Sequence, residues 1–138
     1  MKSVFRYKLS SIFVLSLMSI IITACSNDSD PDANGYARIE VIDAKGEPVP
    51  NQAIQVFNEI DYEKFSKDNR VMPTDFCYTG KNGKVAYEVD RIKWFKGNKN
   101  PMITFVVQYG AGKDNYAIWS SGKTFKPGQS QNISLKLE

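Results

Sequence analysis

Acidic side chains are the residues of this chain that could carry acid–base chemistry, because the sequence contains no histidine. Catalysis by Ser-His-Asp or Cys-His groups and metal binding by imidazole are therefore excluded. A glycosidase needs only two carboxyl groups at a suitable separation, and the acids that cluster in sequence are Glu59, Asp61, Glu63, Asp68 and Asp75. No Asp-x-Asp-x-Asp spacing indicates a calcium loop. We interpret these acids as solvated charges and expect no enzymatic activity, metal or cofactor.

A second candidate site combines cations with aromatic rings. Residues 91–100 hold four cations and no acid around two adjacent aromatic residues. Such a loop could stack on sugar rings, bind an anionic polymer or lie on lipid headgroups. The alternative is that Trp94 or Phe95 caps the open end of the domain while the lysines are solvated. The candidate binding residues are Arg91, Lys93, Trp94, Phe95 and Lys96, with Trp119 and residues 59–70 as candidate neighbours.

Two further features are interpreted structurally. Cys77 lies on a predicted strand without a histidine to activate it, so we expect a buried inert thiol; an intermolecular disulfide is the alternative. Gly122-Lys123-Thr124 matches only the end of a phosphate-binding loop, because Ala117 stands where that motif requires glycine. We predict a hairpin turn there.

The N-terminal segment has the pattern of an export signal. Lys2, Arg6 and Lys8 account for the formal charge of +3, so the rest of the chain is neutral overall and a nucleic-acid-binding protein is not expected. An uncharged apolar stretch follows at residues 9–24. As a helix it would span about 24 Å, less than the roughly 30 Å of a bilayer core. A cleaved signal is favoured over a permanent transmembrane anchor.

The end of this segment, Ile22-Thr23-Ala24-Cys25, resembles the bacterial lipobox. The resemblance implies that residues 1–24 are a signal peptide and that Cys25 is acylated and becomes the first mature residue. Residues 25–35 are rich in turn formers and acids, which predicts a disordered tether. Ser26, where an inner-membrane retention signal would have Asp, favours the outer membrane. The acidic run resembles surface-export signals of Bacteroidetes lipoproteins, while a solvated spacer is the alternative, so the membrane face stays open.

Residues 36–138 form the predicted domain. Apolar and polar residues alternate at residues 37–43, 52–58, 85–90, 102–109 and 132–137, and two weaker strands are expected at residues 73–79 and 116–121. Only residues 59–69 suit a helical turn or two. Seven short strands separated by Gly- and Pro-containing turns predict an all-β fold, a seven-stranded antiparallel β-sandwich.

Three motifs in this domain resemble those of carboxypeptidase-regulatory-like and related bacterial Ig-like domains. They are residues 37–51, Thr79-Gly80-Lys81-Asn82-Gly83-Lys84-Val85, and residues 126–135. The resemblance implies an Ig-like or transthyretin-like sandwich, but function does not follow from fold. We therefore expect a non-enzymatic, lipid-anchored envelope lipoprotein whose domain binds a protein complex or a polysaccharide. A glycan-binding module is the alternative, followed by a carboxylate-dependent glycan hydrolase and by a purely structural role.

Overall fold

The computed structural model describes residues 32–109 and 117–138. Within these ranges the chain forms seven strands and two helices. They are β1 (Gly35–Asp43), β2 (Ala53–Asn58), α1 (Glu59–Lys67), β3 (Asp75–Tyr78), β4 (Lys84–Val89), α2 (Arg91–Trp94), β5 (Met102–Tyr109), β6 (Ala117–Thr124) and β7 (Gln131–Leu137). Neither helix is long and apolar enough to cross a membrane. The predicted signal peptide and Cys25 lie outside the described residues.

The strands form two packed sheets, which confirms the predicted seven-stranded β-sandwich. One sheet has the order β4-β1-β7 and the other has the order β3-β2-β5-β6. Four of the strand pairs are antiparallel, whereas β1 and β7 run parallel with Ile39 opposite Ile133. The prediction of a fully antiparallel sandwich is thus corrected at one pair, where the last strand returns beside the first.

The main core lies between the two sheets and follows the alternation in the sequence. On β7, Ile133, Leu135 and Leu137 are buried while the residues between them are exposed. Tyr87 and Val89 of β4 are buried in the same way. Each such side chain stabilises the fold by about 1.5–3 kcal/mol relative to leaving it exposed, so the alternating pattern sets the register of each strand.

A smaller second core lies on the outer face of the four-stranded sheet, beneath α1. Phe57, Phe65 and Val106 are buried there, with the rings of Phe57 and Phe65 4.6 Å apart. The helix forms at the predicted position because the Asn58 side chain accepts a hydrogen bond from the Asp61 amide and caps its first turn. As a result β5 is covered on both faces from Ile103 to Val107.

Three predictions about local structure require correction. Gly122-Lys123-Thr124 is not a hairpin turn but the end of β6, paired with residues 102–104 of β5. Residues 91–101 are not loop throughout, because the first four form α2. The domain begins before residue 36, since Gly35 is buried in β1 and the Asn34 side chain bonds to both Glu88 and Arg91.

Candidate functional site

The helix α2 is held at one end of the sandwich by its cap and by one buried ring. The Asp90 carboxylate accepts a hydrogen bond of 2.6 Å from the Lys93 amide, which supplies a partner for a helix N-terminal donor. Trp94, at the other end of the turn, is only 6% exposed and belongs to the main core. Gly97 follows with a φ of +79°, a conformation that glycine adopts without strain, and turns the chain toward β5.

A hydrogen-bonded chain beneath α2 ties it to both sheets. The indole Nε1 of Trp94 donates to the hydroxyl of Tyr87 at 3.2 Å, and that hydroxyl donates to Oδ2 of Asp75 at 2.8 Å. Nζ of Lys93 reaches the same oxygen at 2.6 Å. The chain thus links β3 of one sheet to β4 of the other.

Within this hydrogen-bonded chain, the pKa values of Asp75 and Tyr87 are shifted in opposite directions. Burial on its own would raise the pKa of Asp75, but hydrogen bonds from Lys93 and Tyr87 outweigh burial and hold the pKa below its usual value. Burial, followed by the hydrogen bond to Asp75, raises the pKa of Tyr87. Asp75 is therefore a carboxylate and Tyr87 a neutral hydroxyl at neutral pH.

The location of Trp94 corrects one part of the predicted binding loop. Its ring packs edge-on against Tyr87 with centroids 6.3 Å apart, and Nζ of Lys93 lies over the ring, 5.7 Å from its centroid. A ligand cannot stack on a ring that the protein already covers. Trp94 closes the end of the sandwich instead, which was the alternative interpretation, and Phe95 is half-buried against the same core.

A cationic surface remains outside this buried layer. We call this surface the α2 end. It lines a depression of about 610 Å³ and includes Asp32, Arg91, Ile92, Phe95, Lys96 and Lys99. Ile92 is 82% exposed. Ile92 and Asp32 were not among the predicted binding residues. The exposure of Ile92 could have been predicted from Asp90, a typical helix N-cap residue. A helical turn that starts after Asp90 places Ile92 and Trp94 on different sides of the helix.

Three acids near the α2 end are engaged by their neighbours, whereas Glu59, which lines an adjoining groove with Lys96, makes no ion pair among the described residues. Asp32 lies 3.1 Å from the Arg91 guanidinium, Asp90 caps the helix, and Asp75 binds Lys93. Among the described residues, Lys96 and Lys99 make no ion pair, and neither does Lys126 beside Pro127, which lines the same depression. The α2 end therefore presents positive charge that the folded domain does not neutralise.

Of the two candidate neighbours, only one meets the loop. A groove of about 270 Å³ separates the start of α1 from residues 93–102 and is lined by Asn58, Ile60 and Thr74 on the helix side. Trp119 instead pairs with Val107, five residues along β5 from Met102, which is about 17 Å at roughly 3.3 Å per residue. Trp119 therefore lies toward the opposite end of the sandwich.

Four of the five clustered carboxylates, all but Glu59, have structural partners among the described residues. The side chain of Asp61 accepts bonds from Asn58, Lys64 and Thr74. A hydrogen bond from Lys67 lowers the pKa of Glu63, and Arg70 lowers the pKa of Asp68 to about 2. A glycosidase acid requires a raised pKa. The shifts at Glu63, Asp68 and Asp75 run the other way.

Cys77 lies on β3 beside the main core and is half-buried. Burial, with a smaller contribution from the Asp75 charge, raises the pKa of the thiol to about 12. Because the thiolate is the reactive form, the side chain is poorly suited to nucleophilic chemistry. Within residues 32–109 and 117–138, no three His, Cys, Asp or Glu side chains are grouped so that they could hold a metal ion.

Comparisons with known proteins add little to this description. No family model matches the chain, and no curated protein sequence matches it. Among solved structures, the shaft pilin SpaA from Lactobacillus rhamnosus GG is similar, with a TM-score of 0.44 and 9% sequence identity. The match covers 77% of this chain and 49% of the pilin chain, so the chain spans about half the length of that structure. The β-sandwich class rests on the two packed sheets.

Proposed function

We propose that this chain is a lipid-anchored lipoprotein of the bacterial cell envelope, whose β-sandwich is a non-enzymatic binding or assembly module. The observation that carries the proposal is the lipobox-like Ile22-Thr23-Ala24-Cys25 directly after an uncharged apolar stretch. The folded domain starts ten residues later, with β1 at Gly35. Ser26 favours transport to the outer membrane.

A protein partner is supported by apolar side chains at the edge of the four-stranded sheet. β3 is one of the two edge strands of this sheet, and its outward residues Phe76 and Tyr78 are 43% and 63% exposed. Met72, shortly before it, is 73% exposed. Exposed apolar side chains on an edge strand suit pairing with a strand of another protein. The glycan-binding alternative loses support because Trp94 is buried.

A relationship to carboxypeptidase-regulatory-like domains is the finer proposal about the fold. It is supported by the positions of the three resembling motifs, each of which combines a strand with a turn at a glycine of positive φ. The first leads from β1 through a turn at Gly46, which has a φ of +82°, and Gly83 turns the second into β4. The third passes Gly128 and becomes β7.

Acylation is tested with the two cysteines of the chain. Radiolabelled palmitate should be incorporated into the wild type and into the Cys77→Ala control, but not into Cys25→Ser. The Cys25→Ser protein should also leave the membrane fraction. Palmitate incorporation into Cys25→Ser, or equal release of both variants from membranes, would contradict the lipobox assignment.

The assembly role is tested by crosslinking in the source bacterium. A photo-crosslinking amino acid at Tyr78 should capture one protein in near-stoichiometric yield, while the same amino acid at exposed Ala44, in the turn after β1, should not. Mass spectrometry then identifies the adduct. If both positions gave the same adducts, or neither gave any, the edge strand would be excluded as the binding surface and a glycan ligand would be favoured.

A further inference from the structure

We infer that the α2 end docks on the anionic headgroups of the membrane that holds the lipid anchor. The inference rests on the proposed acylation of Cys25 and adds an orientation to it. The domain would stand on its α2 end, with the turns at the opposite end directed away from the lipid.

The position of the N-terminus supports this orientation. Asp32, where the described chain begins, lines the same depression as Arg91, Ile92 and Lys96. Only six residues lie between Cys25 and Asp32, and the seven steps from one Cα to the next span at most about 25 Å when fully extended. The lipid anchor therefore keeps the α2 end within that distance of the bilayer.

The opposite end of the domain is held farther away. β1 runs from Gly35 to Asp43, which is about 30 Å at roughly 3.3 Å per residue. The turn at Ala44 thus lies a strand length beyond the point where the anchor enters. Of the two ends of the sandwich, the α2 end is the one that the short connection brings to the membrane.

Unpaired cations favour direct contact between the α2 end and anionic lipid headgroups. Lys96, Lys99 and Lys126 have no ion pair among the described residues, while the nearby Asp32, Asp75 and Asp90 are engaged within the domain. Glu59, which lines the adjoining groove with Lys96, has no ion pair in the described part of the chain either, so three unpaired cations stand against one unpaired acid. Anionic lipid attracts such basic side chains only within about a Debye length of its surface, roughly 8 Å at physiological salt. The anchor supplies the proximity that this short-range attraction requires.

One exposed apolar side chain suits the boundary between headgroups and acyl chains. Ile92 is 82% exposed on the turn of helix that also carries Arg91. Peripheral membrane proteins combine apolar side chains that enter the interface with cations that bind the headgroups. Burial of Trp94 holds α2 in the orientation that leaves Ile92 outside.

The test uses mature protein purified from membranes and reconstituted in vesicles, after mass spectrometry has established the acyl chains on Cys25. An environment-sensitive fluorophore is attached at Ile92→Cys or, as the control position, at Ala44→Cys, each in a Cys77→Ala background. In phosphatidylglycerol vesicles we expect a lipid-borne quencher to quench the label at position 92 several-fold more than the label at position 44. In phosphatidylcholine vesicles the difference should disappear.

Charge variants make the test specific. The double variant Lys96→Gln/Lys99→Gln should weaken docking about 30-fold, because each cation near an anionic surface contributes roughly fivefold. The matched variant Lys45→Gln/Lys81→Gln, which removes two exposed cations from the opposite end, should leave docking unchanged. Salt at 1 M, where the Debye length is about 3 Å, should abolish it.

The outcomes separate this inference from the proposed function. Absence of acyl chains on Cys25 would overturn both. Acylated protein whose label at position 92 stays in water, or responds equally in both lipids, would overturn membrane docking alone. A label that responds to a soluble anionic polysaccharide but not to phosphatidylglycerol would also overturn it and would assign the α2 end to a polymer.

Discussion

Removal of the Tyr87 hydroxyl should destabilise the domain by interrupting the hydrogen-bonded chain beneath α2. In Tyr87→Phe, Nε1 of Trp94 loses its acceptor at 3.2 Å, and Asp75 loses a donor but keeps Lys93 at 2.6 Å. A buried donor without a partner costs about 1–3 kcal/mol, and the ring itself still packs against Phe105. We therefore expect the free energy of unfolding to fall by about 2 kcal/mol.

Urea denaturation of the purified mature protein, followed by tryptophan fluorescence, measures this change. With a slope of about 2 kcal/mol per molar urea, the midpoint should fall by about 1 M. Tyr36→Phe is the matched control, because Tyr36 lies on the adjacent strand β1 and is 40% exposed. Its effect should stay within about 0.5 kcal/mol.

The pH dependence of the same difference tests the role of Asp75. Since the pKa of Asp75 in the folded protein lies below the ordinary value of 3.8, the unfolded chain binds more protons near pH 3.8. The stability that the ionised carboxylate contributes is therefore complete above that pH and is lost as the pH falls through the folded pKa. The deficit of Tyr87→Phe should shrink over the same window. A deficit equal to that of Tyr36→Phe at pH 7, or one that grows on acidification, would refute the reasoning.

Three further outcomes test the packing. Gly35→Ala should lower the free energy of unfolding by about 1–3 kcal/mol or more, because its Cβ would lie 2.0 Å from the backbone oxygen of Gln129. Gly80→Ala, with nothing nearer than 3.4 Å, should be tolerated; equal effects in denaturation would contradict the placement of β1. Phe65→Ala should cost about 3–5 kcal/mol and expose the sheet beneath α1 to hydrogen exchange, and an exchange pattern like that of the wild type would show that α1 does not cover the sheet. Cys77, with its pKa raised to about 12, should react with a thiol reagent at pH 8 only when urea unfolds the protein, and fast labelling of the folded state would exclude the packed position.

How well alternation predicts the buried residues of a strand depends on whether one or both of its faces are covered. β4 and β7 each bury one face, so strict alternation identified their inward residues. On β5, alternation puts Ile103, Phe105 and Val107 on one face, whereas Thr104 and Val106 on the other face are buried as well. The periodicity of a strand does not reveal that a helix from elsewhere in the chain will cover its outer face.

The sequence indicated which residues bring cations and aromatic rings together, but it did not predict how their side chains are oriented. Composition selected residues 91–100 because four cations and two aromatic residues stand together. Whether Trp94 points inward depends on a single helical turn and on two distant partners, Tyr87 and Asp75. Gly122 shows the same limit, because glycine is typical of turns although here it lies on β6 opposite Thr104. Such outcomes are decided by tertiary contacts, which a local pattern does not contain.

In the proposed lipoprotein, a load on the lipid anchor would enter the domain through the central strand of a sheet. β1 is the central strand of its sheet and pairs with β4 from Gly35 to Glu40 and with β7 from Ala37 to Asp43. Just before it, Asn34 donates to Glu88 at 2.7 Å and accepts from the amide of Arg91 at 2.9 Å. A pull on the anchor would therefore have to shear two ladders together, after first detaching α2 from Asn34. Asn34 also binds the first turn of α2, so the proposed anchor would hold the α2 end near the proposed membrane surface for as long as the domain stays folded.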